Sequence, residues 1–115
     1  MGYIHGDLKP DNILVGGVPG TNGSNRLYLI DFGISKRYLK NNGQHIPFTT
    51  EVNFAGNMIF ASKSTFLNYE TSRRDDIESL FYMLVFFLKG SLPWSLKATQ
   101  NINVHARVKV YSSVP

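Results

Sequence analysis

The stretch that decides the architecture is Ser72-Arg73-Arg74-Asp75-Asp76-Ile77-Glu78-Ser79-Leu80-Phe81-Tyr82-Met83-Leu84-Val85-Phe86-Phe87-Leu88-Lys89-Gly90. Ser72 stands three residues ahead of Asp75, which resembles a capping box with Asp in place of the usual Glu. Asp75, Asp76 and Glu78 fall in the opening turns, where the positive end of the helix dipole favours anions. Gly90 supplies a residue that accepts the left-handed conformation ending many helices. The pattern predicts a helix from Ser72 to about Lys89. From Leu80 to Leu88 nine consecutive residues are apolar, so no face of this part is polar, and the helix is expected to be surrounded by protein. The remainder of the 115 residues offers little with which to surround it, and the chain reads as part of a larger domain.

Working outward from the helix, Ile13-Leu14-Val15 and Leu27-Tyr28-Leu29-Ile30 read as two short strands. The connection from Gly16 to Arg26 is rich in turn residues. Its glycines fit neither the dinucleotide-binding pattern nor the P-loop, and no Lys-Ser/Thr pair follows, so it reads as a solvated hairpin loop. Residues 34–70 show no sustained period and are expected to be irregular, with at most short helical turns; segments of that length are usually functional or disordered. Val104 to Val110 alternates apolar and polar residues like a short strand.

Composition excludes several classes. At 43% hydrophobic and 17% charged the chain falls in the globular range. Without cysteine it has no disulfide framework, no thiolate metal site and no cysteine nucleophile, which fits an intracellular setting, cytoplasmic or nuclear. The opening residues Met1 to Asp7 lack the basic start and apolar run of a signal peptide, and nine apolar residues fall short of the roughly 20 that span a membrane. The net charge is +4, yet residues 1–78 hold eight basic and eight acidic residues. The excess lies on Lys89, Lys97, Arg107 and Lys109, which are too widely spaced to suggest a nucleic-acid surface. The three histidines, His5, His45 and His105, have no metal-ligand spacing.

Chemistry concentrates in His5-Gly6-Asp7-Leu8-Lys9-Pro10-Asp11-Asn12 and in Asp31-Phe32-Gly33. Phosphoryl transfer needs a carboxylate to orient the acceptor hydroxyl, a cation to neutralise the transferred group, and oxygen ligands for magnesium. One loop can supply all three types through Asp7, Lys9 and Asn12, and the hairpin returns Asp31 to the same edge. Two carboxylates and an amide oxygen suit a hard cation that keeps several waters.

Together these motifs resemble the catalytic loop and metal-binding triplet of eukaryotic protein kinases. Asp31-Phe32-Gly33-Ile34-Ser35-Lys36, His45-Ile46-Pro47-Phe48, Ala61-Ser62, Ser72 to Leu80 and Gly90-Ser91-Leu92-Pro93-Trp94 are similar to the casein kinase I family of serine/threonine kinases. The resemblance implies an α+β, mainly α, protein-kinase-like fold: an incomplete C-terminal lobe with a short β-hairpin and one long buried helix. Residues 1–98 would be the partial catalytic domain and residues 99–115 a diverged tail without assignment.

By the same resemblance Asp7 is the catalytic carboxylate and Lys9 the phosphate-contacting cation. Lys9, Asn12 and Asp31 bind the nucleotide, and Asn12 and Asp31 are the magnesium ligands. The implied cofactors are ATP and Mg2+, and the implied partners are proteins bearing Ser or Thr, with neither nucleic acid nor membrane. Asp76 would anchor the backbone of the catalytic loop at His5; its alternative is a plain first-turn acid.

The chain departs from the family in four ways. It carries no glycine-rich phosphate lid and no strand lysine, so it is expected to be inactive as an isolated fragment. Gly6 stands where an arginine is usual. Gly56-Asn57-Met58-Ile59-Phe60 replaces a Gly-Thr-Ala-Arg-Tyr sequence, which changes the brace on the catalytic residues and removes an anion-binding arginine. The tail has no counterpart. A non-catalytic, pseudokinase-type interaction module is the alternative reading.

Overall fold

The structure, a computed structural model, describes residues 1–22 and 25–95. In chain order the elements are β1 (Tyr3–Ile4), a single 3-10 turn (Pro10–Asn12), β2 (Ile13–Gly16), β3 (Arg26–Leu29), β4 (Lys36–Arg37), α1 (Lys63–Phe66) and α2 (Arg73–Lys89). Two antiparallel pairs form two separate two-stranded sheets, β1 with β4 and β2 with β3.

The expected hairpin is present, with Ile13 opposite Leu29, Leu14 opposite Tyr28 and Val15 opposite Leu27. Its β-branched and aromatic residues suit a pleated backbone, and Gly16 lies so close under the Tyr28 ring that a Cβ would come within 2.0 Å of it. The β1–β4 pair sets Tyr3 against Arg37 and Ile4 against Lys36. Next to it, the Tyr38 amide donates to the Gly2 carbonyl at 2.9 Å.

Helix α2 begins and ends as its sequence dictates. The Ser72 amide donates to the Asp75 carboxylate at 2.7 Å, the reciprocal arm of a capping box. Gly90 closes the helix in the left-handed region, at φ 74°, and its amide donates to the Phe86 carbonyl at 2.7 Å. Asp75 does more than complement the dipole: it is buried, and its second oxygen accepts from the Ser62 hydroxyl at 2.5 Å. Through that bond the N-cap of α1 and the first turn of α2 share one carboxylate.

The core is small. Phe60, Met83, Leu92 and Trp94 form its buried centre, and Leu8 from the loop between His5 and Asn12 and Ile13 from β2 pack against it. The Trp94 indole donates to the Ile59 carbonyl at 2.7 Å and meets the Tyr82 ring edge-on at 5.0 Å.

Two expectations are corrected. The fold is not the mainly α, kinase-like arrangement with an incomplete C-terminal lobe: about 27% of the described residues are helical and 15% lie in strands, across one long helix, one short helix and two small sheets. The physical reason lies in residues 34–62, which close turns, a bridge between Leu39 and His45 and the β1–β4 pair instead of helices. Nor is α2 a buried helix. Ile77, Leu80, Phe81, Leu84, Phe87 and Leu88 are all exposed, and their spacing of three, four and seven places them along one stripe of the helix. Residues 99–115, including the strand expected over 104–110, lie outside the described residues. No helix among the described residues is long and apolar enough to cross a membrane.

Candidate functional site

The loop from His5 to Asn12 is pinned at its start by α2. The Asp76 carboxylate accepts from the His5 amide at 2.7 Å and from the Gly6 amide at 2.9 Å. Asp76 is therefore the anchor that the resemblance implied, one oxygen to each amide, and more than a first-turn acid. Gly6 sits at φ 83°, a conformation that other L-residues take only with strain.

His5 is itself buried and its ring works at both ends. Nδ1 accepts from the Asp7 amide at 3.2 Å, which leaves Nε2 to carry the proton and donate to the Ile30 carbonyl at 2.9 Å. The ring also meets Phe32 edge-on at 4.9 Å, and the Ser35 hydroxyl donates to the His5 carbonyl at 3.2 Å. One imidazole thus ties the loop to the segment that carries Asp31.

Asp7, Lys9 and Asn12 come together as expected. Lys9 Nζ lies 3.7 Å from Asp7 Oδ2. The Asn12 amide nitrogen donates to the Asp7 carbonyl at 2.9 Å and approaches Asp7 Oδ2 at 3.5 Å. Because the nitrogen must face those acceptors, the amide oxygen points away from Asp7, and it makes no hydrogen bond to any described residue. Asn12 is only 4% exposed, so this is a buried oxygen without a partner among the described residues.

Asp31 arrives from the other side. The Ile30 amide donates to the Asn12 carbonyl at 2.9 Å, which continues the β2–β3 ladder and sets Asp31 one residue beyond it. Asp31 itself takes a left-handed backbone at φ 61°, with one carboxylate oxygen accepting from the Gly33 amide at 3.2 Å. Its side chain is not bonded to Asp7, Lys9 or Asn12. Asp31 therefore borders the cluster without joining it through a side-chain contact.

Asn57, which the resemblance set at the position of a bracing threonine, reaches Asp7. Its amide nitrogen donates to Asp7 Oδ1 at 3.0 Å and to the Leu8 carbonyl at 3.2 Å, while its oxygen accepts from the Phe60 amide at 2.6 Å. The amide is long enough to brace the carboxylate where a shorter threonine hydroxyl stands in the family resembled, although it makes no bond to Lys9. Gly56 permits this approach: it has φ 117°, and a Cβ there would lie 3.0 Å from the Gly6 carbonyl oxygen. The sequence clue was the glycine directly before a polar residue, in a segment otherwise without pattern.

The donor set suits a hard divalent cation in kind. Asn12 offers a free buried amide oxygen and Asp31 a second, unengaged carboxylate oxygen, with the remaining positions left to water and phosphate. Among the described residues no group of three or more His, Asp or Glu is arranged to hold a metal ion. The chain matches no protein-family model.

Proposed function

We propose that the chain carries the catalytic-loop portion of a phosphoryl-transfer centre of the serine/threonine protein kinase type. The observation that supports it is the restraint on Asp7, whose two carboxylate oxygens are held separately, one by Asn57 and the other beside Lys9 and Asn12. A carboxylate fixed in this way can accept the hydrogen bond of a Ser or Thr hydroxyl and hold its oxygen towards a phosphoryl group, which is mainly a task of positioning. Lys9 is 30% exposed at its side chain, so its ammonium can reach an incoming phosphate while staying near Asp7. Asn12 and Asp31 would hold magnesium, which when bound neutralises charge on the phosphates.

The groups that would grip the rest of ATP, a glycine-rich lid and a strand lysine, do not occur in residues 1–115. Nucleotide binding by the chain is accordingly weak, and turnover on a Ser-containing peptide stays at background. The direct test is Mn2+ with ATP as a paramagnetic probe in an amide NMR spectrum. Broadening is expected to centre on Asn12 and Asp31 and to disappear in Asp31→Ala. Uniform broadening, or none at millimolar Mn-ATP, would overturn the proposal.

The second reading, a non-catalytic interaction module, draws on Gly6 and Ile59, which stand where anion-pairing arginines occur in the family resembled. It predicts a folded chain with no metal-dependent response to ATP.

A further inference from the structure

A cavity of about 140 Å3 is lined by Gly6, by the 52–55 and 69–71 segments and by the first turns of α2. Its wall is apolar at Ile4, Ile34, Val52, Ala55 and Ala61, with polar side chains between them. The charged groups on the wall all have partners within the protein. The only cation on the wall, Lys36, is paired with Glu70. The two carboxylates on the wall are spent on their own neighbours: Asp76 on the His5 and Gly6 amides, Asp75 on Ser62 and the Ser72 amide.

Four uncharged polar groups on that wall remain unused. The side chains of Asn53, Tyr69, Thr71 and Ser79 line the cavity, and none of them hydrogen-bonds to any described residue. Ser79 is the telling one. It is 7% exposed and sits in the second turn of α2, where a serine hydroxyl ordinarily bonds back to a carbonyl one turn earlier. Here it does not. A buried hydroxyl without a partner is costly unless something in the cavity supplies one.

We infer that this cavity is a binding site for a small uncharged molecule, with a short apolar body and a hydrogen-bonding head held by the Ser79 hydroxyl. An anionic head would face the Asp75 and Asp76 carboxylates, and a cationic head would lose hydration to meet carboxylate oxygens that already accept hydrogen bonds from Ser62, Ser72, His5 and Gly6. The occupant touches Gly6, the backbone neighbour of Asp7, so it bears on the loop that positions that carboxylate. The inference stands on the cavity alone and is independent of the phosphoryl-transfer reading.

The test is an amide NMR titration of the 115-residue chain with three probes of one shape: isobutyramide, isobutyrate and isobutylammonium. Isobutyramide is expected to shift Gly6, Thr71 and Ser79 saturably at millimolar concentration, with both ions binding at least about tenfold more weakly. Ser79→Ala should weaken isobutyramide about five- to tenfold, and its otherwise unchanged spectrum would show that the fold persists. Isobutyrate binding as well as the amide would make this an anion site at Lys36 and overturn the inference. So would an unchanged affinity in Ser79→Ala. No saturable shift with any probe would make the space a hydration cavity, which also overturns it.

Discussion

Met83 and Leu84 are neighbours on α2, yet Met83 is completely buried and Leu84 is 52% exposed. The same contrast runs the length of the helix. One side carries Asp75, Ser79 and Met83, all buried, and is met by the core, the Ser62 hydroxyl and the cavity lined by Gly6. The other carries Ile77, Leu80, Phe81, Leu84, Phe87 and Leu88, large apolar side chains left exposed, with the Phe81 and Phe87 rings touching neighbours on the same helix, Tyr82 and Phe86. Two of the three buried residues are polar, while the exposed stripe is wholly apolar. Burial on this helix therefore follows what packs against it and not the hydrophobicity of each residue. A polar group is stable inside where it is bonded, and an apolar one stays outside where no neighbour arrives.

The largest effect that tests this contrast is expected at Met83. Met83→Ala removes a fully buried side chain from the centre of the core and should destabilise by about 3 kcal/mol, read as a lower denaturation midpoint at unchanged m-value. Little change there would mean that the buried side of α2 is not the core. Asp76 comes next. Asp76→Asn keeps one acceptor oxygen for the His5 or Gly6 amide and leaves the other amide unpaired, a loss of about 1–2 kcal/mol. Hydrogen exchange at those two amides should quicken in this variant even where global stability is retained. On the exposed stripe, Leu84→Gln should change stability by less than about 0.5 kcal/mol. The visible consequence of Leu84→Gln is instead better solubility, since contiguous exposed apolar surface promotes association. A cost at Leu84 equal to that at Met83 would show that the stripe is covered in solution.

Function offers the same kind of contrast, between the braced Asp7 and the bordering Asp31. Asn57→Ala removes a hydrogen bond from Asp7 Oδ1 and from the Leu8 carbonyl. It should loosen the loop by roughly 1–2 kcal/mol and broaden the Asp7 and Leu8 amide resonances. Asp31→Ala removes a bond to the Gly33 amide alone and should leave the Asp7 loop in place while abolishing the Mn-ATP response.

Legibility in the sequence followed the range of the interactions. The capping of α2 at Ser72 and Asp75, its stop at Gly90, and the β2–β3 hairpin rest on residues near one another in the chain, at most 16 positions apart in the hairpin. Local propensity is enough to show them. The grouping of Asp7, Lys9 and Asn12 was visible for the same reason, since one loop of eight residues carries all three. Contacts between separate segments were not legible from the residues alone: Asn57, 50 residues from Asp7, was placed beside it only by the family resemblance, and the bond of Ser62 to Asp75, 13 residues on, was not foreseen. The β1–β4 pair joins residues more than 30 apart through strands of two residues, too short to show a period of two.

The sequence by itself determined where α2 begins and ends, that a hairpin joins β2 to β3, and which residues could do chemistry, because caps, turns and short loops are governed by near neighbours. Only the tertiary structure decided which side of α2 is covered, that Asn57 braces Asp7, that Asp76 holds the loop, and that Ser79 faces a cavity with its hydroxyl unused. Those outcomes depend on which distant segments arrive at a given surface. Hydrophobicity read along the chain records only that a residue could be buried, and packing decides whether it is.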